Sequence, residues 1–475
     1  MQASLAVPAD EQLGIEVQPQ YVESATRHGF NVLERNIFDL DLAVDLPWST
    51  TGELLVVGNP PWVTNAQLGR LGSINLPKKA NIKNLAGFDA MTGASNFDIA
   101  EYILLKLMLE LQSQASTVAM LVKTQVARNV LSYAHKFDLP YSRFEIKPID
   151  AKLHFNAAVD ACLFSFEHAE QPEYTCQVFD DLYTAEPSHE IGFVNNLFVS
   201  NVVKYSRAAA ADGASPVDWR SGVKHDASGV MEMPSEEAYE NALEDDYIYP
   251  LLKCTDIFRG RLKPTRSMIV PQRTLGQETD HLQVTAPKLW SHLERNSAVL
   301  DGRKSSIYRG RPRFSVFGLG DYTFAPYKIA ISGLHKEVRF VAVGPHGGRP
   351  VVFDDTCYMI PFEDGSQAAM TLAILESQEV RDLMDSLIFW DSKRPITKKL
   401  LQRIDLLSVS KSLEVSELSS RASEVAKRFE IKIEPTTDWA TVLDDLVSDW
   451  STTKVKTRKR RTTTTTKDAD LVGLF

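Results

Sequence analysis

Four consecutive residues, Asn59-Pro60-Pro61-Trp62, have the side chains and the backbone that could hold a planar amine. The lone pair of such an amine is conjugated into its ring, which makes the nitrogen a poor nucleophile. The side-chain oxygen of Asn59 and the carbonyl of Pro60 could accept its two N–H bonds and localise the lone pair toward an electrophilic methyl group. Prolines lack the backbone N–H groups that would compete with the amine for these acceptor oxygens. Trp62 offers a flat face on which a planar base or amide can stack. The alternative is a loop in which two prolines only end a strand.

Strands and helices alternate around this tetrapeptide in the sequence pattern. Apolar runs and amphipathic stretches succeed each other up to about residue 170, which predicts βαβ units and a doubly wound α/β domain. The segment 53–58 is expected to be a buried strand. Ligands bind at the carboxyl ends of strands in an open parallel sheet, and Asn59 follows such an end. The other predicted strands are residues 13–17, 117–122, 143–149 and 160–166, and the predicted helices are residues 21–28, 97–112 and 125–136.

The order and spacing of further motifs resemble those of the S-adenosylmethionine-dependent amino-methyltransferases. The likeness is greatest to the N6-adenine DNA methyltransferases whose recognition region follows the catalytic region. Leu13-Gly14-Ile15-Glu16-Val17 resembles their second strand, whose acid binds the cofactor ribose hydroxyls. Asn36-Ile37-Phe38 lies where the family usually places an acid near the cofactor adenine, so Asn36 departs from the pattern. The likeness covers residues 13–170 motif by motif and residues 250–410 more loosely.

Two more motifs complete this likeness. Asn96-Phe97-Asp98 resembles the motif that opens the next helix beside the methionine moiety, and Leu153-His154-Phe155 resembles the loop whose aromatic ring sandwiches a flipped base. The resemblance implies catalysis by the Asn59-Pro60-Pro61-Trp62 loop, with the base stacked by Trp62 and Phe155. It also implies S-adenosylmethionine as the cofactor, bound by Glu16, Asn36, Ile37, Asn59 and Asn96.

The glycine-rich turn of this cofactor fold is missing from the sequence as it stands. That turn lies about 20 residues before the ribose-binding acid, whereas 15 residues precede Glu16 and the single glycine among them is Gly14. We therefore expect an N-terminally incomplete Rossmann-like methyltransferase sheet. Either the chain begins downstream of its true start, or another chain completes the pocket, or the protein is a remnant that binds the cofactor poorly.

A basic segment lies inside an acidic protein. The whole chain has 52 Lys and Arg against 62 Asp and Glu, but between Lys253 and Arg349 there are 17 against 7. Aromatic residues are interleaved with these arginines, a combination typical of nucleic-acid surfaces. A solvated face over ordinary core aromatics is an equally good interpretation. The expected DNA contacts come from Arg303, Lys304, Arg309, Arg311 and Arg313.

The same segment resembles the target-recognition part of larger bacterial restriction-modification methylases. The motifs that carry this likeness are residues 253–257, 303–308, 317–322 and 354–358. The pair Asp354-Asp355 fits a β-turn better than a metal site, and we expect no metal.

The length of 475 residues predicts two or three domains. We expect a methyltransferase catalytic domain at 1–170 and a connecting region at 171–250. A mixed α+β target-recognition domain follows at 251–410, with short β-type runs at 314–319, 328–332, 338–343 and 350–353. A helical part at 411–450 and a disordered basic tail at 451–475 complete the chain.

The composition excludes several classes of protein. With 44% hydrophobic and 24% charged residues the chain is neither fibrous nor wholly disordered. It contains no run of about 18 apolar residues, so no membrane association is expected. Its four cysteines are far apart, which argues against a zinc knuckle or a disulfide framework and favours a cytoplasmic location. The terminal residues 470–475 resemble peptides that dock into bacterial sliding clamps, although an accidental match is the commoner explanation.

These observations predict an adenine-N6 DNA methyltransferase of a restriction-modification or phage-defence system, with double-stranded DNA as substrate and a cognate restriction subunit as a possible partner. Two alternatives stay open. The same loop serves enzymes that methylate RNA bases or protein glutamines, because those acceptors are planar amines too. The chain could also be a truncated, inactive DNA-binding remnant.

Overall fold

A computed structural model describes residues 9–48, 52–63, 98–240 and 243–462. The chain forms two compact units, Met1–Val203 and Lys204–Phe475. Each unit has its own sheets and core. No helix in the described ranges is both long enough and apolar enough to cross a membrane.

A seven-stranded mixed sheet forms the centre of the first unit, in the order β3-β4-β6-β5-β7-β8-β9. β3 pairs parallel with β4, whereas β6 lies antiparallel between β4 and β5, and β8 is antiparallel to both of its neighbours. Two further strands, β1 (Gly14–Glu16) and β2 (Val32–Glu34), form a separate parallel pair. The strands of the large sheet are β3 (Leu54–Gly58), β4 (Ser116–Lys123), β5 (Tyr141–Ile149), β6 (Ala161–His168), β7 (Cys176–Val178), β8 (His189–Val194) and β9 (Leu197–Val199).

The described helices of this unit are α1 (Pro19–Arg27), α2 (Ile99–Glu110), α3 (Thr124–Phe137) and α4 (Ala151–Phe155). α2 is buried nearly all round, from Ile99 to Met108, as expected for an apolar helix packed inside a domain. Its first turn is capped by Asp98, whose side chain accepts the N–H of Ala100. The predicted α/β class is confirmed, and every predicted strand and helix of this region that the structure describes is present with shifts of a few residues.

The second unit is a mixed α+β assembly with two four-stranded sheets, ordered β10-β17-β14-β15 and β11-β13-β12-β16. Its core includes the fully buried Trp219, Phe314 and Phe353. The strands are β10 (Arg220–Ser221), β11 (Glu232–Pro234), β12 (Ile248–Leu252), β13 (Arg266–Ile269), β14 (Tyr327–Ser332), β15 (Phe340–Val343), β16 (Val352–Phe353) and β17 (Cys357–Phe362).

Helices fill the remainder of this unit. They are α5 (Val202–Ala208), which starts just before the unit, then α6 (Ser228–Met231), α7 (Ser235–Glu240), α8 (Cys254–Arg259), α9 (Leu282–Thr285), α10 (Pro287–Arg295), α11 (Ser297–Asp301), α12 (Asp321–Phe324), α13 (Gly365–Leu375), α14 (Gln378–Leu387), α15 (Lys398–Leu401), α16 (Leu406–Ser412), α17 (Val415–Arg428) and α18 (Trp439–Thr462). Short 3₁₀ turns occur at Ala209–Ala211, Asp245–Tyr247 and Ser306–Tyr308.

The structure corrects three predictions about chain organisation. Residues 171–250 are not a connection, because β7–β9 extend the first sheet, and Val223, Ala227, Val230, Met231, Met233 and Leu243 belong to the core of the second unit. The run 314–319 is not a strand: Phe314 has a φ of 64°, Gly318 a φ of 70°, and Phe317 makes only an isolated bridge to Lys224. The tail is helical as far as Thr462, since α18 begins upstream on the buried Leu443, Leu446 and Trp450, and Lys and Arg propagate a helix well.

Candidate active site

The tetrapeptide forms a loop directly after β3 and is held by the neighbouring strand and helix. The indole N–H of Trp62 donates to the carbonyl of Leu121 on β4 at 2.9 Å. The N–H of Ile99, at the start of α2, donates to the carbonyl of Val63 at 3.0 Å. The loop is therefore fixed to β4 at one point and to α2 at another.

The residues of this loop differ in exposure. Asn59 and Pro61 are exposed, Pro60 is buried and Trp62 is partly buried. Gly58 leads into the loop at a close approach to β4, since a Cβ added there would lie 2.9 Å from the sulfur of Met120. Asn59 thus lies at the surface, where another molecule can contact it.

The prediction that residues 53–58 form a buried strand is wrong in one respect. The strand is present, but Leu55 and Val57 are 45% and 51% exposed. β3 is the terminal strand of the seven-stranded sheet, and in the described part of the chain it pairs with β4 alone. An apolar run therefore indicated a strand correctly, but it did not distinguish a central strand from one at the edge.

Trp62 and Phe155, which are far apart in sequence, lie in contact. Their ring centroids are 5.3 Å apart and the rings are inclined by 69°, an edge-to-face arrangement. Phe155 ends α4, which is fixed at its start by the Asp150 carboxylate accepting the N–H of Leu153 and at its end by Asn156 in the left-handed conformation. The structure thus brings together both residues that were predicted to stack a base.

Lys123 and Asp98 form an ion pair beside the loop. The Nζ of Lys123, the last residue of β4, lies 2.7 Å from Oδ2 of Asp98, the residue that caps α2. Their side chains are only 24% and 11% exposed. This pair joins the same two elements that hold the tetrapeptide. Sequence reasoning missed Lys123, although a lysine at the carboxyl end of an apolar strand was a signal that could have drawn attention to it.

A buried carboxyl group lies one turn further along α2. Glu101 is 5% exposed and accepts a bond from Nδ2 of Asn129 at 2.9 Å. Burial raises the pKa of Glu101 to about 7; the bond from Asn129 opposes this shift and the nearby charge of Asp98 adds to it. The side-chain oxygen of Asn129 is buried without a hydrogen-bond partner in the described part of the chain. A protonated Glu101 could supply the donor that this oxygen lacks.

The predicted cofactor residues lie at the carboxyl ends of β1 and β2. Glu16 ends β1 opposite Glu34 on β2, and its Oε1 accepts the N–H groups of Val17 and Gln18, both at 2.8 Å. Asn36 follows β2, and its side-chain oxygen accepts the N–H of Phe38 at 3.2 Å. Ile37 between them is partly buried. Of the other two predicted cofactor residues, Asn59 follows β3 and Asn96 lies outside the described residues.

The five predicted DNA-binding residues have different environments. Lys304, Arg309 and Arg311 are exposed, and none of them has an ion-pair partner in the described ranges. Arg313 is exposed but pairs with Glu294 and Asp301.

Arg303 is directed into the unit, and this corrects its assignment. It donates to the carbonyls of Leu300 at 2.7 Å, His225 at 3.2 Å and Ser315 at 2.8 Å. Its guanidinium lies 3.8 Å from the centre of the Tyr308 ring. The Nε and Nη1 donors of Arg303 are therefore used inside the fold, and Arg303 has a packing role in place of the predicted DNA contact.

Comparison with known proteins identifies similar chains. No family model matches this sequence. The Type II methyltransferase M.NspV of Nostoc sp. is 38% identical over 429 residues, which cover 85% of this chain and 87% of that protein. Among solved structures, the Type IIL restriction-modification enzyme MmeI in complex with DNA aligns over 91% of this chain with a TM-score of 0.50 at 12% identity. This chain spans only 63% of the length of MmeI, and at this identity the likeness shows a shared fold.

We predict that Lys123→Met destabilises the first unit by about 1–3 kcal/mol, because Asp98 then keeps a partly buried carboxylate without its partner. Thermal and urea unfolding measure the change. The matched control is Arg143→Met, which breaks a pair with Glu167 whose side chains are 76% and 40% exposed and which should cost no more than about 0.5 kcal/mol. Equal effects of the two variants would contradict a structural role for the Lys123 pair.

Replacing Glu101 by Gln should stabilise the first unit at high pH only. A folded-state pKa raised from 4.5 to about 7 means that stability is lost as pH rises between these values. Glu101→Gln cannot ionise, so its free energy of unfolding should equal that of the natural protein near pH 4 and exceed it by about 3 kcal/mol at pH 8. Unfolding at both pH values measures this, with the exposed Glu170→Gln as the control. A difference in the free energy of unfolding that does not change with pH would contradict the raised pKa of Glu101.

Arg303→Ala should destabilise the second unit by about 2 kcal/mol, because three carbonyls lose a charged donor. Arg309→Ala should leave the unfolding midpoint unchanged, since its side chain is exposed. Thermal unfolding of the two variants separates a packing role from a DNA-binding role. An unchanged midpoint for Arg303→Ala would make Arg303 a candidate DNA-binding residue again.

Proposed function

The chain belongs to the Type II methyltransferases, and from this premise we propose that it transfers a methyl group from S-adenosylmethionine to the N6 amino group of adenine in duplex DNA. It would act as the modification component of a restriction-modification or phage-defence system. The relative M.NspV supports the transferase class, and the complex of the fold relative MmeI with DNA supports DNA as the molecule bound. The choice of adenine N6 is our inference from the loop itself.

The observation that carries this proposal is the contact between Trp62 and Phe155 beside an exposed Asn59. The two aromatic rings lie 5.3 Å apart at the end of the sheet. Asn59 offers an amide oxygen to the same region, and buried Pro60 fixes the backbone behind it. Aromatic faces next to an amide acceptor suit a flat heterocycle that carries an exocyclic amine.

The described residues fit an S-adenosylmethionine site in part. Oε1 of Glu16 is occupied by two backbone N–H groups, which orients the carboxylate and leaves Oε2 able to accept the hydroxyl groups of a ribose. Asn36 and Ile37 follow the neighbouring parallel strand, where an adenine ring would lie beside them. When bound, S-adenosylmethionine supplies an electrophilic methyl group.

The residues of the loop would prepare the amine for attack. Asn59 and Pro60 would accept its two N–H bonds, so that the lone pair is no longer shared fully with the ring. Trp62 and Phe155 would hold the ring in place. Held in this way, the amine nitrogen would take the methyl group from the donor and would then release one proton to solvent. Most of the rate enhancement would come from positioning, because no covalent enzyme intermediate is needed.

Exposed cations of the second unit would hold the DNA backbone. Lys304, Arg309 and Arg311 are available for phosphate contacts, while other cations of the basic segment are engaged within the protein. Lys253 and Arg266, for example, both contact the buried carboxylate of Glu232 at 2.5 and 3.4 Å. The net positive charge of the segment therefore overstates the number of residues that can reach DNA.

Asn59→Ala should lower the rate of methyl transfer to DNA by about 10²-fold or more, because it removes one of two acceptors for the amine. The assay uses labelled S-adenosylmethionine with duplex DNA, followed by digestion to nucleosides and mass spectrometry. Asn59→Asp, which keeps acceptor oxygens, should retain more activity than Asn59→Ala. The control is Asn31→Ala, an exposed residue at the amino end of β2, which should behave like the natural protein.

The same assay separates the alternatives. Label in N6-methyladenine supports the proposal, whereas label in a methylated cytosine, in RNA or in protein glutamine would assign another acceptor. DNA binding without transfer to any of these acceptors would indicate a binding protein instead. Equal activity of Asn59→Ala and the natural protein would remove the loop from the mechanism.

A further inference from the structure

We propose that Leu153 is a wedge that enters the base stack of DNA when the target adenine leaves it. This inference rests on the proposed function and adds a residue that acts on the duplex instead of on the flipped base. Leu153 is 75% exposed, more than any other leucine among the described residues. Phe155 and Val159, close to it in the chain, are also exposed, at 45% and 40%, and a group of exposed apolar side chains is typical of a surface that another molecule contacts.

The short helix that carries Leu153 is fixed at both ends. The Asp150 carboxylate accepts the N–H of Leu153 itself at 2.9 Å, and the left-handed Asn156 ends the helix with backbone bonds to the carbonyls of Ala151 and Lys152. A fixed backbone means that the exposed side chain is presented in a defined direction. A wedge needs a fixed backbone, because ordering a flexible loop on binding costs conformational entropy. That cost would offset the free energy gained by inserting the side chain into DNA.

The two faces of this helix have different partners. Ala151 is buried, and Phe155, one turn later, contacts Trp62 while 45% exposed, so this face is directed toward the protein at Ala151 and toward the proposed base site at Phe155. Leu153 lies two residues from each of them and therefore on the opposite, solvent-facing side. The helix thus carries on one face the ring of Phe155, which would stack the extruded base. On the other face it carries the exposed side chain of Leu153, the apolar tip.

Duplex DNA fits this tip better than a protein partner does. Lys152 and His154, which flank Leu153, are both exposed, and a lysine beside an apolar tip suits the phosphates that border a base step. The tip is continuous with the proposed adenine site through Phe155. Leucine is one of the side chains that DNA-bending proteins insert between base pairs.

The energetic role of a wedge follows from the cost of base extrusion. Removing a base from a paired duplex leaves an empty space in the stack, and the cost is smallest when the base is already unpaired. A side chain that fills the space offsets part of this cost. Leu153 should therefore matter for a fully paired target and much less for an adenine without a pairing partner.

The test compares two DNA substrates with the full-length protein. Its target is first mapped by sequencing methylated DNA from a strain that expresses the chain. Duplexes are then made with the target adenine opposite thymine or opposite an abasic site. We expect Leu153→Ala to lower kcat/KM about tenfold on the paired duplex and less than twofold on the abasic one. Leu153→Met should retain most of the activity, and Leu182→Ala, another exposed leucine of this unit, should change neither substrate.

A second readout does not depend on methyl transfer. With 2-aminopurine in place of the target adenine, extrusion raises fluorescence, and Leu153→Ala should reduce this rise on the paired duplex. Equal losses on both substrates, or no loss on either, would overturn the wedge assignment while leaving the proposed methyl transfer intact. A natural protein that methylates neither duplex would instead contradict the proposed function, and the wedge with it.

Discussion

The hydrogen bond from the Trp62 indole to the carbonyl of Leu121 is the interaction on which the rest of the site depends. It fixes an exposed loop to the adjacent parallel strand, and the ring it orients is the one that Phe155 meets. The bond between Val63 and Ile99 and the ion pair of Lys123 with Asp98 then hold α2 against the same point. A loop at the edge strand of a sheet would otherwise have few contacts to define it. Two hydrogen bonds to the loop, and an ion pair that joins the two elements holding it, fix its geometry while leaving Asn59 exposed.

Among the described residues near this loop, one charged pair and one buried carboxyl group stand out. Lys123 is matched by Asp98, and the raised pKa of Glu101 keeps much of that buried carboxyl protonated near neutral pH. The pairing of Lys123 suits chemistry in which an uncharged amine gains positive charge as it reacts, because the positive charge of this lysine is offset by Asp98. The same arrangement makes the first unit sensitive to pH, since Glu101 must ionise in a buried position as the solution becomes more alkaline.

The sequence was sufficient for the main elements of the first unit and for the pairing of Trp62 with Phe155, because motif order and hydrophobic period are local signals. It was not sufficient for the exposure of Leu55 and Val57, since an apolar run does not show whether a strand is central or at an edge. It also placed Arg303 on a DNA surface, whereas three backbone carbonyls engage it, and one of them, that of His225, is 78 residues away in the chain. Lys123 was missed because its partner, Asp98, becomes a neighbour only after folding. Asn96 and the peptide at 470–475 remain predictions that lie outside the described residues.

A structure of the full-length protein bound to a duplex containing its target would test the central claim most directly. We predict that one adenine lies outside the DNA duplex, with its amine within hydrogen-bond distance of the Asn59 side-chain oxygen and the Pro60 carbonyl. Its ring should lie against Trp62 and Phe155. A target base that stays stacked in the duplex, or that is held away from this loop, would contradict it.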